Sequence, residues 1–448
     1  TILNKARSDF VDCGELQQST LDLRLPPKKI LSLLQNENGD IKPDRYEWFL
    51  YLQIPSRLNG ELTLPNVTKY RSLDADLVSH ERWRDEKNEL LDQSQLKKLS
   101  GEPQQIITDM SSNLTARLQH VSAYLEQSDN SKIILRNTKG KRVWRLPSAT
   151  KKNMVNNPFF QQMTTTGIAD VFRMVDRDTK FIDCFKHVLG AQSKSRSHEY
   201  DLLAILVANA TNQSIYGISQ ISDRTYDQLS TIQSNYIRLE TLNDAIDTIN
   251  NATARLPIFK HYNIHDDIVH ASADGQKFES RRETFKTRYS SKYFGTNKGV
   301  SAVSLIANHV AINARVIGAN EHESHFIFDL LMSNSSDIIP NMLSTDTHGV
   351  NHINFALLDL FGYTFAPRYA NVSNIINEMF DVLEDKNGHI DIRLKKSINI
   401  KCIIKYWDTI QRICISLKER KTMQSTLVRK LSEYKKNHPL LEALTEYN

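Results

Sequence analysis

The residues most able to do chemistry are two aspartates that each sit in or at the end of a strand-like run. Asp274 closes residues 268–274 (IVHASAD), and Asp346 lies in residues 342–349 (MLSTDTHG). The first run alternates in character, so a strand there sets His270, Ser272 and Asp274 on one face, with Val269, Ala271 and Ala273 on the other. Gly275 is expected to end that strand. The second run predicts a short strand that stops at Asp346. Carboxylates on two strands that neighbour each other in a sheet are hard oxygen donors, the ligand type that Mg²⁺ or Mn²⁺ takes. A pair of such ions clamps both the attacking and the leaving oxygen of a phosphodiester. The chemistry this spacing points to is phosphoryl transfer.

The surrounding elements must place these acids side by side. After the first strand come candidate strands at Val300–Ala307 and Ile312–Ala319 and a helix at Glu323–Met332. The Asp346 strand follows, then a helix at Asn351–Phe361 and a last strand at Tyr363–Ala366, stopped by Pro367. The order is β-β-β-α-β-α-β. Residues before this region read as helical. Tyr46, Phe49, Leu50, Leu52 and Ile54 form one apolar rhythm, and Leu114, Leu118, Val121 and Leu125 another; a third holds Ile237, Leu242, Ala245, Ile246 and Ile249. Residues 132–145 (KIILRNTKGKRVWR) read as a hairpin turning at Lys139 and Gly140. After Asn371 helices resume, with Ile400, Ile403, Trp407, Ile410, Cys414 and Leu417 on one face. The expected class is α+β, a mostly helical N-terminal part, then a mixed five-stranded sheet flanked by helices, then a helical C-terminal segment. The expected domains are 1–130 (helical scaffold), 131–258 (hairpin and helical linker), 259–375 (catalytic core) and 376–448 (a helical insertion).

Composition narrows the setting. Of 448 residues 40% are hydrophobic, enough to bury a core, and 57 basic against 52 acidic residues leave a net charge of only +5. Any affinity for a polyanion must therefore come from local clusters. The four cysteines are scattered without a CxxC pair, which suits a reducing cytoplasm. No apolar run approaches the roughly 20 residues that span a bilayer, so no membrane partner is expected. No glycine-rich phosphate loop is present, so ATP is not expected either. His322, Glu323 and His325 lack the HExxH spacing, which argues against zinc.

Basic residues do cluster beside the first aspartate. Arg281, Arg282, Lys286, Arg288 and Lys292 interleave with Phe285, Tyr289, Tyr293 and Phe294. Cations that neutralise phosphates and rings that stack on unpaired bases make a DNA surface; the other reading is a solvated hairpin whose aromatics enter the core. A second cluster, Lys132, Arg136, Lys139, Lys141, Arg142 and Arg145, either tracks duplex backbone or guards a strand edge. His348 and Arg368, at the ends of the fourth and fifth strands, are placed to face the same cleft.

Several segments in order carry a family likeness. HASADGQKF, RYSSKYFG, KGVSAVSLIANHVAINARVIGANEHESHFIFDLL and LSTDTHGVNHINFALLDLFGYTFAPRY, with the acids 346 − 274 = 72 positions apart, resemble the catalytic region of the Tn-three-type replicative transposases. LPNVTKYRSLDADLV, YDLLAILVANATN and LSEYKKNHPLLEAL extend the resemblance over most of the chain. The likeness implies an RNase H-like core of the DDE (Asp-Asp-Glu) group, in which Asp274 and Asp346 are the first two catalytic, metal-binding acids. It further implies Mg²⁺ (or Mn²⁺), DNA cleavage and strand transfer at transposon ends, and a homodimer that pairs two ends. The setting would be a bacterial cytoplasm, nucleoid-associated on DNA. The family's third acid, a Glu in a helix well beyond the second Asp, has no match before Asn448, so the chain reads as truncated before it. Glu378 and Glu384 would serve if the third ligand followed the last strand directly. Two further readings stand beside the transposase: a catalytically incomplete remnant that binds DNA or a full-length partner, and an RNase H-like nuclease.

Overall fold

The computed structural model describes residues 26–58, 62–67, 70–125, 133–138, 141–145, 158–193, 197–264, 267–370, 375, 380–381, 396–432 and 438–448. These form two compact units, one reaching to Gln95 and including Tyr406–Ala443, the other made of Leu96–Lys405 with Leu444–Asn448. In the first, helices α1 (Lys28–Leu34), α2 (Pro43–Arg57) and α3 (His80–Ser94) follow one another. Helix α2 buries Tyr46, Phe49 and Leu50 against Leu34 and Ile41, as the three-and-four spacing predicts. Leu52 remains exposed, so the apolar stripe is narrower than the sequence rhythm.

The rest of that unit is joined by charge. The guanidinium of Arg412 is buried; its Nε donates to the Val78 carbonyl at 2.6 Å and one terminal nitrogen to Asp74 at 2.6 Å. Lys430 donates to the buried Asp76, which also takes Arg71, and to the Arg71 carbonyl at 2.8 Å. Arg82 grips Glu419 through both terminal nitrogens, at 2.7 and 2.9 Å. Burial alone would raise the Asp408 carboxyl, but hydrogen bonds from Lys87 and Trp83 hold it below the usual carboxylate range.

The second unit starts with helix α4 (Pro103–Leu125) and an antiparallel hairpin, β1 (Ile134–Thr138) with β2 (Lys141–Arg145). The turn at Lys139 and Gly140 lies outside the described residues, as do Lys132 and the strand side chains beyond Ile134. Helices α5 (Ile168–Thr179), α6 (Glu199–Ala210), α7 (Ile215–Ile221), α8 (Tyr226–Tyr236) and α9 (Leu239–Ala254) come next. Leu202, Ile205, Leu229, Ile232 and Ala245 form their shared core with Phe181. Ser214 and Thr225 cap α7 and α8 by accepting from the N–H groups of Gly217 and Gln228.

A six-stranded sheet follows: β3 (His270–Glu279), β4 (Arg288–Tyr289), β5 (Lys298–Ala307), β6 (Val310–Gly318), β7 (Met342–Thr345) and β8 (Thr364–Phe365). A 3₁₀ turn at Glu323–Phe326 leads into α10 (Ile327–Met332), and α11 (His352–Leu360) lies between β7 and β8. Its five predicted strands stand in the order β6-β5-β3-β7-β8, antiparallel from β6 to β3 and parallel from β3 to β8. The two-residue β4 adds to the Lys298–Gly299 end of β5. One expectation is corrected: Gly275 does not end its strand, because β5 continues to pair with β3 as far as Glu279 opposite Gly299. The alternation holds, with Ala271 and Ala273 buried and Asp274 exposed.

Two turns are tied together by one buried amide. Asn354 of α11 is fully buried, and its Nδ2 donates to the Ser324 carbonyl at 2.9 Å and the Gly349 carbonyl at 3.1 Å. It thereby fixes the turn after β6 to the turn after β7. Asn354→Leu strands both carbonyls without that donor, and urea unfolding should show a loss of about 1–3 kcal/mol.

Candidate active site

Strands β3 and β7 run parallel, and their register ends at Ala273 opposite Thr345. Asp274 and Asp346 are therefore the residues that follow this last pair on the two neighbouring strands. Strand β7 stops there while β3 runs on to Glu279, so the β7 side of β3 opens into a pocket. Its volume is about 550 Å³, and Asp274, Lys277, Tyr293, Glu323, Asp346 and His348 are among its walls.

Local backbone holds each acid. Asp346 Oδ1 accepts the N–H groups of His348 at 2.9 Å and Gly349 at 3.1 Å, capping the 3₁₀ turn Thr347–Gly349. Its other oxygen lies 3.1 Å from His348 Nδ1. Asp274 Oδ1 accepts from the N–H of Gly275 at 2.8 Å. Two glycines make room for this: a Cβ on Gly349 would strike the Thr345 side chain, and one on Gly275 would land in the Glu323 carboxylate. The demand at both is space.

Glu323 is the residue that sequence reasoning misses. In sequence it stands only within a His-Glu-Ser-His string, yet in the fold it lies over Gly275. Its Oε1 accepts from Ser301 Oγ at 3.1 Å and lies 3.6 Å from Lys277 Nζ. The available signal is a glycine inside a strand, which marks close approach by another group. Of its two flanking histidines only His322 lines the pocket; its Nδ1 lies 2.8 Å from Ser324 Oγ. Among the described residues no three His, Cys, Asp or Glu side chains come together as a metal cluster. Two exposed carboxylates on one pocket still suit a hard cation such as Mg²⁺, which keeps several waters and needs few protein ligands.

The basic and aromatic segment lies at the surface. Phe285 is 91% exposed, Tyr289 61% and Tyr293 48%, so these three rings are not core. Lys298 stands 4.7 Å above the Tyr289 ring, and Lys277 and Lys292 stand 4.8 and 5.1 Å from that of Tyr293. Arg288 is folded onto its own loop, donating to the Phe285 and Thr287 carbonyls at 2.9 and 2.8 Å. Lys292 and Tyr293 line the pocket; Arg281, Arg282, Arg288 and Arg368 are exposed and do not. The Arg368 N–H donates to the Thr345 carbonyl at 2.7 Å, next to Asp346. Glu378 and Glu384 lie outside the described residues.

A sheet of this order and direction, with acids just beyond the paired ends of its two central parallel strands, defines an RNase H-like α+β protein. Residues 170–448 match the Tn3 transposase DDE domain, and the chain belongs to that family. It is 26% identical over 414 residues to the transposase for transposon Tn2501 of Escherichia coli, covering 90% of this chain and 40% of that protein. To the transposase for transposon gamma-delta of Escherichia coli (strain K12) it is 25% identical over 296 residues, 65% of this chain and 29% of the relative. To that of Tn501 from Pseudomonas aeruginosa it is 28% identical over 284 residues, 62% and 28% respectively. The chain thus spans less than half the length of each of these relatives. Among the described residues no helix is long and apolar enough to cross a membrane.

Two outcomes test this local structure. Gly275→Ala should destabilise the unit by about 1–3 kcal/mol through overpacking against the Glu323 carboxylate, read as a lower midpoint in urea unfolding. Burial lowers the pKa of His270, whose Nε2 lies 2.7 Å from Ser344 Oγ, below its ordinary 6.5. The unfolded chain therefore binds this proton more readily, so stability is full above about pH 6.5 and falls below it. His270→Gln should flatten the urea midpoint between about pH 7 and 5.

Proposed function

We propose that this chain carries the phosphoryl-transfer core of a DNA transposase, with Asp274 and Asp346 as two of its metal-binding catalytic acids. The observation that supports it most is the parallel register Ala273–Thr345, which sets both carboxylates at one pocket in a chain of the Tn3 transposase DDE family. Mg²⁺ or Mn²⁺ held there would activate the attacking oxygen and offset charge on the scissile phosphate. Asp346 is suited to its part because backbone N–H groups hold one of its oxygens in place. His348, 3.1 Å from the other oxygen, orients it further.

The DNA lies over the exposed segment that follows β3. Lys292 contacts phosphate at the pocket itself, while Arg281, Arg282, Arg288 and Arg368 contact phosphates farther along the surface. Phe285, Tyr289 and Tyr293 offer faces on which unpaired bases stack. A homodimer brings two transposon ends together, the outcome is replicative, and ATP has no part. The third acid of the triad is a Glu in a helix beyond the second aspartate.

Mn²⁺ binding followed by electron paramagnetic resonance, together with nicking of a transposon-end duplex, tests the acids. Asp274→Ala and Asp346→Ala should each weaken Mn²⁺ binding and reduce metal-dependent nicking by at least about 10²-fold. Wild-type Mn²⁺ affinity in either variant overturns the assignment. For the surface, Arg282→Ala with Lys292→Ala should lower the slope of log affinity against log salt by about 0.9 for each phosphate that is no longer neutralised. Tyr289→Ala should weaken single-stranded DNA more than duplex.

A further inference from the structure

Lys277 lies two residues past Gly275 on the same face of β3, and its ammonium meets the Glu323 carboxylate that stands over Gly275. The side chain is only 14% exposed. Its Nζ donates to the Ala319 carbonyl at 3.3 Å, stands 4.8 Å from the Tyr293 ring centre and lies 3.6 Å from Glu323 Oε1. Glu323 is held in turn. Its side chain is 16% exposed, Ser301 Oγ donates to it from a fully buried position, and the missing side chain of Gly275 leaves the space it fills. A cation and an anion are thus fixed in the wall of the pocket that Asp274 and Asp346 share.

We propose that Glu323 is a positioning residue of this pocket: it holds the Lys277 ammonium in the wall and cancels its charge, leaving the Asp274–Asp346 side to a divalent cation. The inference rests on the reading of those two aspartates as cation ligands. Charges near a protein surface interact at an effective dielectric below that of water, so an ammonium without its partner repels a doubly charged ion held in the same pocket. Glu323 is not itself a ligand in this scheme. It packs on the face of β3 that carries Ala273 and Gly275, whereas Asp274 belongs to the opposite face.

The test uses the full chain and two readouts, Mn²⁺ binding by electron paramagnetic resonance and, without metal, the rate at which an amine-acylating reagent labels Lys277, read by peptide mass spectrometry. Glu323→Gln should label Lys277 several-fold faster and bind Mn²⁺ about tenfold more weakly. Glu323→Gln with Lys277→Met restores the original net charge and should return Mn²⁺ affinity to about the wild-type value. Lys277→Met alone should bind Mn²⁺ at least as tightly as wild type, and it decides the matter if Glu323→Gln fails to fold. Unchanged labelling and affinity in Glu323→Gln overturns the proposal, and so does weaker Mn²⁺ binding in Lys277→Met. A double variant as weak as Glu323→Gln overturns it too, making Glu323 a ligand. Should Asp274→Ala bind Mn²⁺ like wild type, the cation reading of the aspartates falls, whereas faster labelling in Glu323→Gln still supports the hold on Lys277.

Discussion

The parallel pairing of β3 with β7, and the point at which it stops, is the constraint on which the site depends. Parallel neighbours cannot be joined by a tight turn; the chain must leave the sheet and return. Here the excursion takes in β4, β5, β6, the 3₁₀ turn and α10 before β7 begins. Only four residue pairs, His270–Met342 to Ala273–Thr345, then fix the register. A slip of one residue would move an aspartate to the opposite face of its strand. That register is secured from outside the ladder by Asn354, which ties the turns on both sides of β7, and by the two backbone bonds that Asp346 accepts.

Much of this is legible from local pattern. Strand alternation places Asp274 opposite Ala271 and Ala273, and the element order from β3 to β8 follows from short β-branched runs between helices. Periodicity also gives the buried face of α2 and the hairpin. Pairing partners are not legible, since neither alternation nor composition says which strands adjoin. Glu323 is hidden for the same reason: it meets Gly275 across 323 − 275 = 48 positions, and its neighbours His322 and His325 point to a different chemistry. Gly275 reads as a stop in sequence, when its real cause is the carboxylate standing over it.

The aromatic segment shows how exposure settles what sequence leaves open. Phe285, Tyr289 and Tyr293 have the composition of a core, and their spacing fits either a packed hairpin or a binding face. A core ring buries roughly 150–250 Å², yet Phe285 is almost wholly exposed. Cations stand over two of the three rings, giving Tyr289 and Tyr293 a charged setting that a core position would not tolerate. A surface holding rings and cations in this proportion is costly to leave in water and is consistent with a partner that is both anionic and aromatic.

The first unit solves a different problem with similar chemistry. Its two chain segments, around residues 71–87 and 408–430, are more than 300 positions apart in sequence, and apolar contact alone would leave their mutual register loosely defined. Arg412 on Asp74 and Val78, Lys430 on Asp76 and Arg82 on Glu419 each accept a narrow range of positions. The Lys430–Asp76 pair, buried on both sides, adds little net stability against an apolar replacement, because both charges lose water. The gain from these contacts lies in specificity: a misaligned segment would leave Asp76 or Arg412 buried without a partner, at a cost of several kcal/mol. The same reasoning applies to Lys277 and Glu323 in the pocket. In both places the charged pair is better understood as a device that penalises the wrong arrangement than as a source of stability for the right one.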